Sequence, residues 1–365
     1  MIGLHDFTTL HDQEFRKRVL EIFSTILEKN AFVEGEYNAK FENAFAKMQG
    51  SKHCLLVANG TDALEISLLA HGIKPGDKVG VPGITFYATG EAVLNVGATP
   101  ILIDVLPSGL MSPESAERMI KEHHLKALIP VHIYGLPADM VAINKIAKAH
   151  NIPVIEDAAQ ACGAFIEGKP IGSHGNLTTF SFYPTKNLSA FGDAGAILTD
   201  DDDLAEMIKI IRNHGRGSDG KIMGRNSRCD HMQAVVLALK LEKIEELNQA
   251  RKNVAKKYHE ALRGNKNFAL LPDEYLETSA FHLYPINVCQ RDIRDKLIKH
   301  LQDNQIGCAN FYDRSLSQEP AFSQCEGEKE MAEMVSGAVV CLPMNPFLKD
   351  EEIQKVTQAV LSFFS

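Results

Sequence analysis

The sequence lacks the features that mark a secreted, membrane-spanning or nucleic-acid-binding protein. Its seven cysteines are odd in number and form no C-x-x-C pair, which argues against a disulfide framework and a clustered zinc site. No stretch approaches 18 uncharged apolar residues, and the N-terminus has no unbroken apolar segment like that of a signal peptide. Lys and Arg number 38 against 47 Asp and Glu, so the formal charge of −9 disfavours binding to nucleic acid or an anionic membrane. We therefore expect a reduced protein of the cytoplasm.

Length and composition are those of a folded globular protein. The 365 residues are 45% apolar and 23% charged, proportions that leave little room for disorder or low complexity. By length alone the chain forms two or three domains, or one large domain with an appendage.

The region from residue 54 to residue 199 alternates short apolar or β-branched runs with longer helical patterns. This alternation predicts an α/β fold with a mostly parallel central sheet flanked by helices. The runs at residues 177–182 and 194–199 are separated by only a short loop, so they could add antiparallel or mixed strands. The other predicted strands lie at residues 54–58, 78–82, 100–104, 127–131 and 153–157.

The pattern beyond residue 200 is more helical. Residues 232–262 predict one long amphipathic helix suited to connecting two domains. A strand-like run at 281–288, a helical run at 292–302 and a final helix from residue 350 predict a smaller α+β domain. We accordingly divide the chain into an N-terminal helical arm (1–30), a large α/β domain (31–250) and a small C-terminal α+β domain (251–365).

Two glycine-rich segments resemble phosphate-binding motifs but lack the required context. Residues 215–220 match G-x-G-x-x-G, yet they follow a helical segment rather than a strand. Residues 163–170 approach a Walker A loop, but Pro170 replaces the Ser or Thr that would bind magnesium. We interpret the first as a loop and the second as a β-turn. We expect no metal site, because the histidines form no pattern of convergent ligands.

Three segments carry residues of chemical interest, each at the end of a predicted strand. Gly60 and Thr61 open a helix whose free N–H groups could bind a phosphate, although an N-cap is the commoner role of such a turn. Asp157 ends a strand at the sheet edge where ligands bind in open α/β folds, the alternative being a capping or solvated carboxylate. Lys186 lies in a Pro-containing loop where desolvation could make it a nucleophile, the alternative being a surface lysine.

One cofactor requires all three of these features. Pyridoxal 5′-phosphate needs a lysine for its aldehyde, a carboxylate to keep its pyridine nitrogen protonated, and a helix terminus with hydroxyls for its phosphate. The sequence offers each of these groups: the lysine is Lys186, the carboxylate is Asp157, and the helix terminus with hydroxyls is the turn at Gly60 and Thr61 together with Ser181. The sequence therefore predicts a pyridoxal phosphate site, provided that the strand ends converge.

The order of these and neighbouring motifs resembles the DegT/StrS family of sugar aminotransferases. The match runs from about residue 30 to residue 350. The family consists of fold type I enzymes that use pyridoxal phosphate on nucleotide-linked keto sugars. The matching segments are NGTDAL (59–64), VPGITFYAT (81–89), PVHIYG (130–135), EDAAQA (156–161), SFYPTKN (181–187), GDAG (192–195) and RNHG (212–215).

The resemblance implies a role for each site residue. Lys186 would be the Schiff-base lysine, and Asp157 would be the partner of the pyridine nitrogen. Gln160 would contact the phenolic oxygen of the cofactor, and Phe86 would stack on its ring. The residues implied to hold the phosphate are Gly60, Thr61, Ser181 and, across a dimer interface, Asn226.

The resemblance also implies the reaction and the partners. L-Glutamate would be the amino donor, with the cofactor passing through its pyridoxamine 5′-phosphate form in a double-displacement scheme. A homodimer with shared active sites is implied. Ser227, in NSRCD (226–230), resembles the family members that aminate 3-keto sugars, so a 3-keto nucleotide sugar is the favoured acceptor. The product would be a 3-amino sugar for polysaccharide, lipopolysaccharide or glycoconjugate biosynthesis. Phe311 and Asp313 depart from the His and Pro of the family pattern, which leaves the hexose and the nucleotide open.

Several alternatives remain open from the sequence. The acceptor could be a 4-keto sugar, since members of the family also act at that position. A sugar dehydratase of the same fold would carry His at the position of Lys186, so the lysine argues against it. A regulatory homologue without turnover tends to lose its catalytic groups, whereas Lys186 and Asp157 are both intact here. The remaining alternative is an α/β protein with unrelated chemistry.

Overall fold

A computed structural model of the chain describes residues 1–174 and 177–365. The predicted strands lie where the sequence patterns placed them, although β4 and β5 are shorter than predicted. β4 stops after two residues because Pro130 has no N–H to extend the ladder. In chain order the strands are β1 (His53–Val57), β2 (Lys78–Pro82), β3 (Thr99–Ile103), β4 (Ala127–Leu128), β5 (Ile155–Asp157), β6 (Phe165–Ile166), β7 (Lys169–Pro170), β8 (Leu177–Ser181), β9 (Gly195–Thr199), β10 (Tyr284–Asn287) and β11 (Val339–Leu342).

Seven of these strands make up the central layer. One ladder has the order β1-β9-β8-β5 and another has the order β3-β2-β4. Parallel bridges from Leu128 to Val154 and from Val131 to Asp157 connect the two ladders. β9 is antiparallel to both of its neighbours, β1 and β8. The other pairs are parallel: β5 with β8, β2 with β3, and β2 with β4. The mostly parallel sheet with one antiparallel strand agrees with the prediction.

Helices cover the sheet and form the two ends of the chain. Many start at a polar cap: Ser112, for example, accepts a hydrogen bond from Ser115 N, and Pro113 follows at the first helical position. In chain order the helices are α1 (Phe7–Leu10), α2 (Gln13–Lys29), α3 (Glu36–Gln49), α4 (Gly60–Ala70), α5 (Tyr87–Asn95), α6 (Pro113–His123), α7 (Met140–Ala149), α8 (Asp202–Arg212), α9 (His231–Leu241), α10 (Ile244–Leu262), α11 (Tyr275–Thr278), α12 (Arg291–Asp303), α13 (Glu330–Ser336) and α14 (Asp350–Phe363).

The prediction of one long helix over residues 232–262 is wrong. The segment forms α9 and α10, and the chain turns at Lys243, where φ is −116° and ψ is 2°. The two helices occupy different surroundings, which explains the break. α9 is buried almost throughout and packs between α2 and α3, whereas α10 has a charged outer face and packs against α14. One straight helix could not satisfy both environments.

The two ends of the chain pack on the central region. In the N-terminal arm, α2 buries Val19 and Ile26 against Val235 and Leu239 of α9. The chain start reaches the C-terminal part, since Ile2 bridges to Ile306 and Gly3 O accepts a hydrogen bond from Asn345. There β10 and β11 pair in an antiparallel ladder, α12 packs on β11, and α14 packs on α12. The predicted boundary between residues 250 and 251 falls inside the continuous helix α10, and the domain limits stay a prediction.

The two glycine-rich segments, residues 163–170 and 215–220, form a turn and a loop as predicted. β6 and β7 form a two-stranded antiparallel hairpin, which is the turn predicted for residues 163–170. Gly215 follows α8 in a turn with φ 74°, in agreement with the loop interpretation of residues 215–220. A helix long and apolar enough to cross a membrane does not occur in the part of the chain that the structure describes.

Candidate active site

Three strands of the central sheet end side by side at one edge. β1 and β8 are both antiparallel to β9, and β5 is parallel to β8, so β1, β5 and β8 run in the same direction. Their carboxyl ends therefore meet, and Asp157 and Ser181 are the last residues of β5 and β8. This edge is where open α/β sheets bind ligands. The strand ends therefore converge, as the prediction of a pyridoxal phosphate site from the sequence required.

The turn between β1 and α4 provides unpaired donors at this edge. Asn59 caps α4, and its Oδ1 accepts a hydrogen bond of 2.8 Å from Asp62 N. The N–H groups of Gly60 and Thr61 at the start of the helix have no hydrogen-bond acceptor within residues 1–174 and 177–365. Together with the positive end of the helix dipole they offer a site for an anion.

The contact with Ser181 requires glycine at position 60. A Cβ at position 60 would lie 2.8 Å from Ser181 Cβ and 3.3 Å from Ser181 Oγ, so the turn and the end of β8 touch only because residue 60 is glycine. The serine hydroxyl, which accepts a hydrogen bond of 3.4 Å from Tyr183 N, thereby lies against the free donors of α4. Gly60, Thr61 and Ser181 thus form one cradle with the donors that a phosphate requires.

We expect Gly60→Ala to weaken cofactor binding at least tenfold, because the new methyl group pushes the turn away from Ser181. The measurement is a titration of the apoprotein with pyridoxal phosphate, followed by absorbance. Gly337→Ala is the matched control, since a Cβ there meets nothing closer than 3.5 Å. Equal affinity of Gly60→Ala and wild type would show that this contact does not shape the cradle.

Asp157 is a buried and oriented carboxylate. Its side chain is 5% exposed. Oδ2 accepts a hydrogen bond of 2.8 Å from the hydroxyl of Thr89, and Oδ1 accepts one of 3.1 Å from Ala159 N. Thr89 in turn lies 2.7 Å from the hydroxyl of Thr85. A carboxylate held in this way keeps acceptor capacity for one further protonated group, such as a pyridinium nitrogen.

Lys186 lies in a compact loop between β8 and β9, half-buried and facing the same edge. Its backbone N donates to Tyr183 O at 2.8 Å. The next residue anchors the loop, because Asn187 Nδ2 donates to Ala280 O at 2.8 Å and to Asn248 Oδ1 at 3.1 Å. Burial lowers the pKa of Lys186 to about 8, and the nearby Asp157 partly opposes this shift. The amine is thus prepared to react with an aldehyde near neutral pH.

The lowered pKa of Lys186 predicts how cofactor capture varies with pH. Below pH 8 the neutral amine becomes tenfold rarer for each pH unit, so the rate at which the apoprotein binds pyridoxal phosphate covalently should fall in proportion. Above about pH 8 the rate should level off. Stopped-flow absorbance across pH 6–10 measures this profile. A rate that keeps rising to pH 10 would contradict the lowered pKa.

Gln160, Tyr312 and Phe86 form one wall of the site. Gln160 is buried, its Oε1 accepts a hydrogen bond of 2.6 Å from Tyr134 N, and its Nε2 donates to Tyr312 Oη at 2.9 Å. The Phe86 ring lies 6.0 Å from that of Tyr312 and is 57% exposed, so one face is open to a ligand ring. Sequence reasoning missed Tyr312, although it lies between the two departures from the family pattern, Phe311 and Asp313.

Asn226 makes no hydrogen bond to the phosphate cradle of its own chain among the described residues. The side chain is exposed, and its Oδ1 accepts a hydrogen bond of 2.8 Å from Arg228. The neighbouring Ser227 is fully buried, and its Oγ accepts a hydrogen bond of 3.1 Å from Ala58 N. Any effect of Ser227 on substrate choice therefore acts through the turn after β1.

Two further motif residues, His132 and Arg228, have structural partners. Ala138 N donates to His132 Nδ1 at 3.0 Å, so the ring proton resides on Nε2, which lies 3.1 Å from Glu156 Oε2. Both side chains are completely buried behind Asp157. Arg228 donates to Asn213 as well as to Asn226. His132 thus supports the end of β5, and Arg228 orients Asn226.

The residues at the sheet edge fit pyridoxal 5′-phosphate. The cradle leaves two backbone donors free, Asp157 has acceptor capacity in a buried position, and Lys186 carries a lowered pKa. Bound there, the cofactor would have its phosphate at the start of α4, its pyridine nitrogen toward Asp157 and its aldehyde toward Lys186.

Comparisons with known proteins agree with this geometry. A model of the DegT/DnrJ/EryC1/StrS aminotransferase family matches residues 13–361. The chain is 35% identical over 360 residues to a pleiotropic regulatory protein of Geobacillus stearothermophilus, with 96% of each chain covered. It is 37% identical over 354 residues to the UDP-N-acetyl-3-dehydro-alpha-D-glucosamine 3-aminotransferase of Acidithiobacillus ferrooxidans, covering 96% of this chain and 95% of that protein.

The structural comparison confirms the fold. The crystal structure of DesV from S. venezuelae in complex with a ketimine intermediate superposes with a TM-score of 0.92 at 33% identity, covering 99% of this chain and 98% of that one. The predicted fold type I architecture is therefore correct. The protein is a transaminase, and pyridoxal phosphate is its cofactor. The chain belongs to the DegT/DnrJ/EryC1/StrS aminotransferase family.

Proposed function

We propose that the protein transfers the amino group of L-glutamate to a nucleotide-linked keto sugar, with a 3-keto hexose as the preferred acceptor. The observation that carries this proposal is Lys186, whose lowered pKa and position beside Asp157 suit it to carry both the cofactor and a proton. The name of the relative from Acidithiobacillus ferrooxidans supports the 3-keto position. The product would be a 3-amino sugar for a polysaccharide, a lipopolysaccharide or another glycoconjugate.

Each step of the reaction has a residue suited to it. Pyridoxal phosphate, when bound, supplies a ring that withdraws electrons from the amino-bearing carbon. Asp157 would keep the pyridine nitrogen protonated, since its carboxylate is buried and held by Thr89. Lys186 would bind the aldehyde and, once released by the donor, move a proton between the donor carbon and the cofactor carbon. The N–H groups of Gly60 and Thr61 would anchor the phosphate throughout.

The site wall next to the sheet edge suits a sugar ring. Phe86 offers an exposed aromatic face, and Tyr312 places a hydroxyl beside Gln160. All seven cysteines are free thiols, which suits the reducing cytoplasm in which we place the reaction.

We further propose that the active unit is a homodimer. Several large apolar side chains are exposed, among them Phe86 in the wall of the site and Tyr183 in the loop that carries Lys186, and such exposure is typical of a surface that a partner covers. Asn226 is exposed and held by Arg228, as a residue that reaches a neighbouring subunit would be. The other exposed apolar residues on which we base this proposal are Phe32, Val33, Tyr87 and Phe191.

A mixing experiment tests whether Asn226 acts on the partner's site. We expect Lys186→Ala and Asn226→Ala, each strongly impaired alone, to regain about one quarter of wild-type activity when they are unfolded and refolded together, because half of the dimers would then contain one intact site. Each variant refolded alone is the control. A mixture no more active than its components would place Asn226 in its own chain's site, or outside both.

The two rival functions have less support. A dehydratase would carry His at position 186, where this chain has Lys. The relative from Geobacillus stearothermophilus is named a regulatory protein, but a regulator without turnover has no need for a lysine of lowered pKa facing a buried carboxylate. The retained pair therefore favours catalysis.

The proposal is tested by supplying acceptors to the protein in its pyridoxamine phosphate form. UDP- and dTDP-linked 3-keto hexoses are compared with their 4-keto isomers, and NMR locates the new amine. We expect amination at C3 with a kcat/KM at least tenfold above that of the 4-keto isomers. Faster amination at C4 would overturn the 3-keto assignment, and amination of neither isomer would overturn the nucleotide sugar as acceptor.

A further inference from the structure

Arg251, on the inner face of α10, is a buried cation without a partner. The residue is 8% exposed, and its Nε and Nη1 atoms are buried with no hydrogen bond. Among the residues that the structure describes, no carboxylate pairs with the guanidinium, and the group that opposes the lowering of its pKa is the Cys162 thiol. Buried guanidinium groups are normally paired, because an uncompensated charge in the interior is unfavourable.

This guanidinium lines the same small cavity as Lys186. The cavity measures about 20 Å³, so it admits a small polar group. It lies between the N-terminal segment, the loop that carries Lys186 and the inner face of α10. Its walls also include His5, Asp6, Pro184, Asn345 and Phe347. A ligand that reacts at Lys186 can therefore extend one small polar group to Arg251.

The surroundings of the cavity are strongly basic. Arg251 and Lys186 both lower the pKa of His5 and that of His282, although burial is the larger cause in each case. Burial raises the pKa of Cys162, the thiol nearest to Arg251, to about 12, so it stays neutral. The nearby acid, Asp157, is engaged by Thr89 and Ala159. Asp6, the acidic residue in the cavity wall, accepts hydrogen bonds from the N–H and the hydroxyl of Thr9 and forms no ion pair with Arg251. The guanidinium thus lines the cavity without an ion-pair partner among the described residues.

We propose that Arg251, with His5 beside it, binds a carboxylate of the amino donor. This inference rests on the proposed function, in which the amine of the donor would replace the amine of Lys186 at the aldehyde carbon of the cofactor. The α-carboxylate of an amino acid lies two bonds from that amine, and the side-chain carboxylate of glutamate lies a few bonds further. Either one would supply the negative partner that Arg251 lacks, through charge-assisted hydrogen bonds from the guanidinium.

Lys252 provides a matched control on the same helix. It follows Arg251 and is equally buried, at 9% exposure, but its ammonium donates to Glu277 O at 2.7 Å. Lys252→Gln therefore removes a buried cation of α10 while keeping a hydrogen-bond donor. It should leave the affinity for the donor unchanged.

The first test measures stability and binding without turnover. In a buffer free of carboxylates and phosphate, we expect the Arg251→Met holoenzyme to unfold at a temperature no lower than wild type, because an unpaired buried charge is replaced by an apolar side chain of similar length. 2-Oxoglutarate should raise the unfolding temperature of wild type and Lys252→Gln, but not that of Arg251→Met. A variant that unfolds earlier yet keeps the full shift would assign Arg251 a structural role and overturn the proposal.

The second test measures the donor half-reaction by bleaching of the cofactor band. We expect Arg251→Met to lower kcat/KM for L-glutamate about 100-fold, mainly through KM, and Arg251→Lys to lower it about tenfold. L-2-Aminobutyrate lacks the side-chain carboxylate, and 4-aminobutyrate lacks the α-carboxylate. Arg251 binds the carboxylate that is missing from the donor whose rate Arg251→Met leaves unchanged. An unchanged rate with 4-aminobutyrate therefore assigns the α-carboxylate, and an unchanged rate with L-2-aminobutyrate assigns the side-chain carboxylate.

The outcomes separate this inference from the proposed function. If wild type is bleached by L-glutamate and Arg251→Met behaves like wild type toward every donor, the carboxylate site is wrong and the aminotransferase stands. If L-glutamate bleaches no variant but the effect of 2-oxoglutarate on unfolding still requires Arg251, the carboxylate site stands and L-glutamate is not the donor.

Discussion

Replacing Lys186 with alanine should lower amino transfer from L-glutamate by at least about 10⁴-fold. Lys186 is the amine of lowered pKa at the sheet edge, and the variant loses both the group that binds the aldehyde and the base that moves the proton. The measurement is the rate of 2-oxoglutarate formation in the presence of a nucleotide-linked keto sugar. Lys169→Ala, at an exposed lysine of β7, is the control and should be unaffected.

Chemical rescue separates a missing base from a damaged fold. Methylamine is small enough to enter the space that the lysine side chain leaves, and it should restore part of the proton transfer in Lys186→Ala. The unfolding temperature of the variant should remain near that of wild type, because a half-buried lysine contributes little packing. Activity of Lys186→Ala within tenfold of wild type would contradict the assignment of this residue.

Replacing Asp157 with asparagine should lower kcat about 10²- to 10³-fold. The carboxylate is buried, and asparagine keeps its shape while removing the charge that would hold a proton on the pyridine nitrogen. Without that proton the ring withdraws fewer electrons, so removal of the proton from the donor carbon becomes slow. The substrate deuterated at that carbon measures this step directly, since a larger isotope effect on kcat is expected in the variant.

Thr89→Val tests the orientation of the same carboxylate. The substitution keeps the side-chain shape but removes the hydrogen bond of 2.8 Å to Asp157 Oδ2. We expect kcat to fall about tenfold, less than for Asp157→Asn, because the charge remains and only its position is loosened. An isotope effect for Asp157→Asn equal to that of wild type would show that the carboxylate does not act on the proton-transfer step.

The central sheet could be predicted from sequence because each strand is a short, continuous apolar run between turn residues. In a parallel strand buried on both faces nearly all side chains are apolar, as in β2 and β3. The break between α9 and α10 could not be predicted. Residues 242–243 are Glu and Lys, both good helix formers, and the chain turns there because the two helices pack against different partners.

The site was predictable to the extent that its residues follow strands. Asp157 ends β5, and Gly60 and Lys186 lie in the loops that follow β1 and β8, so sheet topology brings them together. Arg251 gave no such signal, since an arginine on an amphipathic helix is usually solvated. Only packing shows that it faces inward and lines the cavity at Lys186.

The most direct test of this account is the visible absorption spectrum of the purified protein before and after addition of L-glutamate. Wild type should show the band of a cofactor bound covalently to Lys186, and L-glutamate should bleach it as 2-oxoglutarate forms in equal amount. Lys186→Ala should not complete this half-reaction. A band that L-glutamate leaves unchanged, or no band after incubation with pyridoxal phosphate, would contradict the account.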